Sequence, residues 1–283
     1  MKKLIIILFL STAAITCAGC GIADALQTGS GYKPCPADLP TDMACVPGGF
    51  FWRGSNDSQW KDERPAMQIE LSTFLIDKYE VTVRKYQECV KSGACQLVQS
   101  NYLHMRKPDF PQLKANWFQA RDYCKAQGKR LPTEAEFEKA SRGPDGELYS
   151  WGNQAADCSL AVIKDKRGKR GCVGGFIHDT GTVANVGSRP AGRYGLFDMT
   201  GNAHEWVADW YHPDYQKCGV DCNGRDPQGP CAGRDTCPGF GHKVIKGGSW
   251  YWDADWARAA KRRDWQPSNE PPHHFGFRCA KSL

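Results

Sequence analysis

The sequence predicts one loop-rich domain that combines short strands with a few helices and is stapled by disulfides. Thirty glycines, 17 prolines and 10 tryptophans, with a mean hydropathy of −0.57, are typical of an aromatic-rich, loop-rich chain rather than a helical bundle or a disordered protein. Short apolar runs broken by glycine alternate with segments of helical spacing. Fourteen cysteines indicate an oxidising compartment, where disulfides can hold long loops.

The first predicted elements are strands. Residues 43–55 contain apolar residues punctuated by glycines, which is typical of a short hairpin. Residues 69–76 alternate in part between apolar and polar side chains, which predicts a second strand. A helix then follows Thr82, a good N-cap residue, and ends at Gly93.

Two more helices are predicted before the chain becomes irregular. Residues 117–124 carry apolar side chains at helical spacing. Thr133 and Glu136 form the capping box of the next helix, in which Phe137 and Ala140 face inward.

The last predicted elements are a strand with a glycine bulge over residues 243–252 and a closing strand over residues 275–279. We find no internal repeat and no linker composition within residues 34–283. A single domain over residues 35–283 is therefore the simplest organisation.

The N-terminus predicts export. Residues 1–19 have a charged start, an apolar run and then small residues, as in a secretory signal peptide that is too short to span a membrane. Cys20 ends a sequence that resembles a bacterial lipobox, so we expect lipidation there and a lipid anchor and tether over residues 20–34. Because Cys17 stands where an aliphatic residue is usual, ordinary signal-peptidase cleavage stays open. The expected location is the periplasm or cell surface, on a membrane, with the outer membrane favoured.

Cysteine spacing predicts mostly disulfides. Without Cys17 and Cys20 an even number of twelve cysteines remains. Three close pairs are each able to staple a loop: Cys35 with Cys45, Cys89 with Cys95, and Cys158 with Cys172. Four further residues form two more bridges or a zinc site, and the lack of a CxxC pair favours bridges: Cys218, Cys222, Cys231 and Cys237.

The formal charge of +6 does not indicate a nucleic-acid partner. The basic run over residues 164–170 has no interleaved aromatic residues on which bases could stack. We interpret this run as a solvated loop.

Residues 193–211 are the most distinctive stretch. A turn formed by Gly201, Asn202 and Ala203 exposes backbone carbonyls, and Glu205 follows, so hard oxygen ligands could converge on a calcium-like cation. Trp206 and Trp210 are one helical turn apart and are expected to bury a broad aromatic face. The structural alternative is a turn followed by a buried amphipathic segment, with Glu205 capping its own backbone.

Six segments together resemble the formylglycine-generating enzyme (sulfatase-modifying factor) family over roughly residues 43–283. They are residues 47–50 (PGGF), 77–82 (DKYEVT), 128–136 (GKRLPTEAE), 194–206 (YGLFDMTGNAHEW), 246–250 (KGGSW) and 276–279 (GFRC). The resemblance implies a single α+β domain related to C-type lectin folds, with little regular secondary structure and bound structural calcium.

The resemblance also implies particular residue roles. It strengthens the prediction that Asn202 and Glu205 bind calcium, with backbone carbonyls of Gly201 or Ala203 contributing. At the family's other calcium site Ser159 stands where asparagine is usual. A family disulfide implies the pair Cys124–Cys279. A second family disulfide would join positions occupied here by Ser141 and Arg262, so both of its partners are missing together.

Active family members oxidise a sulfatase cysteine to formylglycine with copper held by two thiolates shortly after the Gly-Gly-Ser motif. Those two positions fall on Trp252 and Ala257, which cannot ligate copper, so copper binding is not expected. Trp206 and Ser249 match residues that line the family's active pocket. Without a catalytic role they are a core indole and a strand hydroxyl.

Two functions follow from this pattern. The favoured one is a non-catalytic lipoprotein whose calcium-stabilised domain binds or scaffolds a protein, peptide or glycan. The alternative is an enzyme, either a formylglycine-type oxidase using another route or a nonheme-iron enzyme that modifies a protein or small thiol. Its candidate iron ligands are the loop histidines His204, His212, His242, His273 and His274.

Overall fold

A computed structural model describes residues 31–172 and 181–283. In chain order its strands are β1 (Met43–Val46), β2 (Gly49–Arg53), β3 (Met67–Leu71), β4 (Phe74–Asp77), β5 (His204–Trp210), β6 (Lys243–Lys246), β7 (Arg263–Trp265), β8 (Phe275–Gly276) and β9 (Ala280–Ser282). Its α-helices are α1 (Val83–Lys91), α2 (Trp117–Ala126), α3 (Glu134–Arg142) and α4 (Val220–Asn223). The predicted signal peptide and the lipidation site at Cys20 lie outside the described residues. Within the described ranges, no helix has the length and apolar character needed to cross a membrane.

The central sheet has four strands in the order β7-β6-β5-β8. Strand β5 pairs antiparallel with β6 and parallel with β8. Its side chains alternate between two cores: Trp206 packs with α2 on one face, and Val207 packs with α3 on the other. Strands β1, β4 and β9 form a second sheet, and β2 and β3 form a two-stranded ribbon.

Two strand predictions were wrong in their pairing. Residues 43–55 do not form a hairpin, because β1 pairs with β4 while β2 pairs with β3. The single strand predicted over residues 69–76 is interrupted at Ser72 and Thr73. The Ser72 amide donates to Asp226 Oδ1 (2.6 Å), and the Thr73 hydroxyl accepts from the Gly48 amide (2.9 Å), so long-range hydrogen bonds turn the chain there.

The helical spacing assigned to Trp206 and Trp210 was also wrong, because this segment is β5. Both indoles are buried as expected, and their Nε1–H groups donate to the carbonyl oxygens of Ala115 and Arg234. The backbone is extended because β6 and β8 pair with it on either side. Tertiary pairing therefore overrides a pattern that also fits a helix. Likewise, the closing strand predicted over residues 275–279 was too long, because only Phe275–Gly276 (β8) is strand and β9 begins after it at Ala280.

The helix starts follow their local sequence. Thr82 caps α1 by accepting a hydrogen bond from the Lys85 amide. The predicted capping box of Thr133 and Glu136 is confirmed in α3, where Phe137 and Ala140 are fully buried.

All twelve cysteines of the described ranges form disulfides, which confirms the disulfide-stapled α+β fold. The bridges are Cys35–Cys45, Cys89–Cys95, Cys124–Cys279, Cys158–Cys172, Cys218–Cys222 and Cys231–Cys237. The pair implied by the resemblance, Cys124–Cys279, joins α2 to the segment between β8 and β9. Because the last four cysteines are paired with one another, the zinc alternative for them is wrong.

Candidate functional site

The turn before β5 is built around a buried carboxylate that comes from another part of the chain. Glu80 accepts hydrogen bonds from Asn202 Nδ2 (2.6 Å) and from the Ala203 amide (2.8 Å). The Asn202 Oδ1 accepts a hydrogen bond from the Ala184 amide (2.9 Å). The backbone of Asn202 has a φ of 59°, a left-handed conformation that asparagine tolerates well. The amide of Asn202 thus links three segments of the chain.

The carboxylate of Glu205 is held by Arg278. The guanidinium donates to both Glu205 oxygens at 2.6 and 2.7 Å, and both side chains are completely buried. Arg278 also donates to the carbonyl oxygens of Asp77, Lys78 and Phe197. Glu205 therefore forms a core ion pair and does not cap its own backbone.

This arrangement does not fit a calcium site formed by the predicted ligands. The Oδ1 of Asn202 and both oxygens of Glu205 already accept hydrogen bonds from protein donors, and Arg278 adds a positive charge where a cation would have to sit. In the part of the chain that the structure describes, no group of three or more His, Cys, Asp or Glu residues is able to hold a metal ion. Calcium binding through Gly201, Asn202, Ala203 and Glu205 stays a prediction from the resemblance.

Three buried carboxylates share the charge of Arg278. Burial raises the pKa of Glu80 well above its ordinary value, and the neighbouring carboxylates of Asp198 and Glu205 raise it further. Burial likewise raises the pKa of Asp198 and of Glu205, while Arg278 lowers both. Arg278 is therefore the positive charge that acts on all three carboxylates beneath the turn.

The positions implied for the copper thiolates carry no sulfur. Ala257 is fully buried, and a Cβ placed on Gly248 would lie only 2.5 Å from its Cβ. The Trp252 ring lies between Tyr251 and Trp256, at centroid distances of 5.3 and 5.2 Å. Because every described cysteine is in a disulfide, no described thiolate is available to replace the missing pair.

The two other implied pocket residues lie in the protein core. Trp206 has no exposed surface and donates its Nε1–H to the Ala115 carbonyl at 2.9 Å. Ser249 is also fully buried, and its hydroxyl accepts from the Tyr251 amide at 3.4 Å. In this geometry they support the neighbouring backbone rather than face a substrate.

Three of the five candidate histidines come together, and two do not. The ring of His274 lies 5.6 Å from that of His204 and 5.5 Å from that of His273, measured between centroids. His212 instead accepts a hydrogen bond from the Asp214 amide, and the Nδ1 of His242 contacts the carboxylate of Asp264.

The three histidines that meet do not fit an iron site. The two nitrogens of His204 face the Lys246 carbonyl and the guanidinium of Arg263. Burial lowers the pKa of His274 to about 3, and the positive charge of Arg263 contributes to that shift. The positive charge of Arg263 would repel a metal cation at these rings. The same charge favours the neutral form of the imidazoles.

Sequence reasoning missed the aromatic row next to these histidines. We define this row as Trp60, Trp256, Trp252 and Tyr251, whose successive ring centroids lie 5.8, 5.2 and 5.3 Å apart. All four side chains are partly exposed. The row includes the implied thiolate position Trp252. Residues 250–252 (WYW) were a visible signal, whereas Trp60 is too distant in sequence to be connected with them.

The chain is similar to known proteins in sequence. A family profile described as the sulfatase-modifying factor enzyme 1-like domain matches residues 31–283. The chain is 34% identical over 268 residues to serine/threonine-protein kinase pkn1 of Chlamydia caviae, a match that covers 88% of this chain but only 39% of that kinase. It is 29% identical over 304 residues to the formylglycine-generating enzyme of Thermomonospora curvata, covering 87% of this chain and 95% of that enzyme. It is 27% identical over 290 residues to the mouse inactive C-alpha-formylglycine-generating enzyme 2, covering 85% of each.

Solved structures share the fold. PvdO from Pseudomonas aeruginosa superposes with a TM-score of 0.68 at 22% identity, covering 89% of this chain and all of that one. Treponema denticola variable protein 1 superposes with a TM-score of 0.64 at 21% identity, covering 85% and 95% of the two chains. These likenesses confirm the predicted fold.

Proposed function

Because the chain belongs to the family of sulfatase-modifying factor enzyme 1-like domains, we propose that it is a member without copper-dependent formylglycine-generating activity, acting as a binding or scaffolding module. One observation carries this proposal: Trp252 and Ala257 occupy the implied thiolate positions, and every described cysteine is in a disulfide. Cu(I) is selected by soft sulfur ligands, and neither an indole nor a methyl group replaces them.

The aromatic row supports a binding role. Partly exposed tryptophan and tyrosine rings give large contact areas at a low cost in side-chain entropy. The ammonium group of Lys261 makes cation–π contacts with two of the rings, because its Nζ lies 4.0 Å from the centroid of Trp60 and 4.9 Å from that of Trp256. The ligand under this proposal is a protein, peptide or glycan, and a lipid on Cys20 would hold the module on a membrane.

Metal content and turnover test the proposal directly. The full chain, purified with its disulfides intact, is incubated with Cu(I), desalted and assayed for copper, iron and calcium. Oxygen consumption is then followed on a cysteine-containing peptide. We expect substoichiometric copper and iron and no oxygen consumption above the protein-free rate.

A double variant provides a matched control. Trp252→Cys combined with Ala257→Cys places two sulfurs at the implied positions, and it is expected to retain Cu(I) through desalting under reducing conditions that spare the buried disulfides. Stoichiometric copper or iron in the unmodified chain, together with oxygen-dependent turnover, would overturn the proposal and favour the enzymatic alternative.

A further inference from the structure

We propose that the protein binds an oxyanion group, a carboxylate, phosphate or sulfate, at a cluster of nitrogen donors beside the aromatic row. The inference rests on the proposed binding function and adds the chemical class of the ligand group. The donor cluster is defined by Arg170, Arg263, His274, Trp250 and Trp252.

The two arginines of the donor cluster lack carboxylate partners in the described ranges. Arg170 and Arg263 are both partly buried, and neither forms an ion pair with a described residue. The carboxylate next in sequence to Arg263, that of Asp264, contacts His242 Nδ1 and acts on Arg263 only through its charge, without an ion-pair contact. A partly buried guanidinium without a counter-charge is costly unless another group supplies one.

Neighbouring cations on the same segment show the contrast. Arg258 donates to both oxygens of Glu63 at 2.9 and 3.0 Å, and Lys261 lies 3.4 Å from the same carboxylate. Arg262 is paired with Glu134 at 2.6 Å. The fold thus neutralises three cations of this segment with buried carboxylates and leaves Arg263 without one.

The neutral members of the donor cluster also lack acceptors. Neither ring nitrogen of His274 has a hydrogen-bond partner in the described ranges, so whichever nitrogen carries the proton of the neutral imidazole lacks an acceptor, and the residue is only 6% exposed. The Nε1–H groups of Trp250 and Trp252 are likewise buried without an acceptor, and so is the Nε–H of the charged Arg170. Native proteins satisfy nearly all such buried groups, so several orphaned nitrogens in one place indicate a missing acceptor.

Tyr251 holds the donor cluster together. Its ring stacks on that of His274 with centroids 5.1 Å apart, and the guanidinium of Arg170 lies 3.8 Å from its centroid. The rings of Trp250 and Trp252 lie 5.4 and 5.3 Å away. Arg263 approaches from the side of the aromatic row, with its guanidinium 5.2 Å from the Trp252 centroid.

An oxyanion matches this environment better than a neutral or cationic ligand. A carboxylate, phosphate or sulfate offers only acceptors, accepts paired hydrogen bonds from a guanidinium, and balances the charge of two arginines. Both arginine heads lie over aromatic rings, and Arg263 Nη1 contacts His204 Nε2 at 3.2 Å, so the other in-plane N–H groups remain to donate at the ring edges. The body of the ligand can extend along the aromatic row.

Simple anions test the inference. The full chain is titrated at pH 7 and constant ionic strength with sodium phosphate, sodium sulfate or sodium acetate, and binding is followed by tryptophan fluorescence and isothermal calorimetry. We expect saturable binding of at least one anion, and the three arms separate tetrahedral from planar oxyanions. Arg263→Gln and Arg170→Gln are each expected to weaken binding at least about tenfold, because each removes a charged hydrogen-bond donor.

Arg84→Gln is the matched control, since Arg84 is exposed and already paired with Asp109. It is expected to leave the affinity unchanged. No saturable binding by any of the three anions, or equal weakening by all three variants, would overturn the inference. If Arg263→Gln lowers the melting temperature strongly, the result for Arg170→Gln decides, because Arg170 lies outside the sheet in a short 3₁₀ turn (Arg170–Cys172). Metal-dependent turnover would overturn the proposed function and would leave the anion result as it stands.

Discussion

Replacing Arg278 with methionine is the sharpest test of the core beneath the turn. The substitution removes a fully buried guanidinium that binds Glu205 through both oxygens and offsets the charges of Glu80 and Asp198. Breaking a buried ion pair from one side costs about 3–5 kcal/mol, and each further hydrogen bond lost from Arg278 costs about 1 kcal/mol. We expect the free energy of unfolding to fall by roughly 5 kcal/mol or more at pH 7.

The same substitution should make stability depend more strongly on pH. Without the guanidinium, the pKa values of Glu80, Asp198 and Glu205 in the folded state rise further above their unfolded values. The folded variant then binds more protons than the unfolded chain, so its stability is greatest at acidic pH and falls as pH rises towards the raised pKa values. The additional loss is about 1.4 kcal/mol per pH unit for each carboxyl group that is kept protonated.

Urea unfolding at pH 5 and pH 8, with the disulfides intact, measures both effects. Arg278→Lys is the control, because it keeps the charge but loses the planar fork, and it should follow the pH dependence of the unmodified protein more closely. A destabilisation of Arg278→Met that is below about 1 kcal/mol, or that is the same at both pH values, would refute this account of the buried cluster.

Two further predictions concern the disulfides and the predicted calcium ligands. Cys124→Ala combined with Cys279→Ala should lower the free energy of unfolding by up to about 5 kcal/mol, because this bridge closes a loop of 155 residues. Cys89→Ala combined with Cys95→Ala should lower it by only about 2 kcal/mol, because that bridge closes a loop of 6 residues. Equal losses in denaturant titrations would contradict this loop-entropy argument. Asn202→Ala should lower the melting temperature, with or without a chelator, because it removes the hydrogen bonds to Glu80 and Ala184. EDTA should leave the melting temperature of the unmodified protein unchanged. If EDTA instead lowers it by several degrees and has no effect on Asn202→Ala, the calcium site is established.

Local signals were enough to predict the helix starts and the disulfide-rich, loop-rich character of the domain. A hydroxyl at Thr82 or Thr133 caps a helix through contacts within three residues, so its effect can be read from neighbouring residues alone. In each of the three close pairs the two cysteines are at most 14 residues apart in sequence, which limits the partners that each cysteine can reach. The pairing of Cys124 with Cys279 needed the family resemblance, because nothing local connects them.

Tertiary structure decided the strand pairing and the roles of the polar residues around the turn. Trp206 and Trp210 fit a helix or a strand by spacing, and hydrogen bonding to β6 and β8 selects the strand. Glu205 resembles a calcium ligand or a helix cap in sequence, but Arg278, 73 positions away, takes both of its oxygens.

The sequence by itself determined the family, the disulfide-rich single domain and the absence of sulfur at positions 252 and 257. These are properties of residue identity and order. The donor cluster was decided only by folding, because it depends on which charges the fold leaves unpaired. Arg262 and Arg263 are adjacent and chemically identical, yet Arg262 forms an ion pair with the buried carboxylate of Glu134, whereas Arg263 contacts aromatic rings and the imidazole of His204. No local sequence signal separates the two, because the carboxylate that pairs with Arg262 comes from Glu134, 128 positions earlier in the chain.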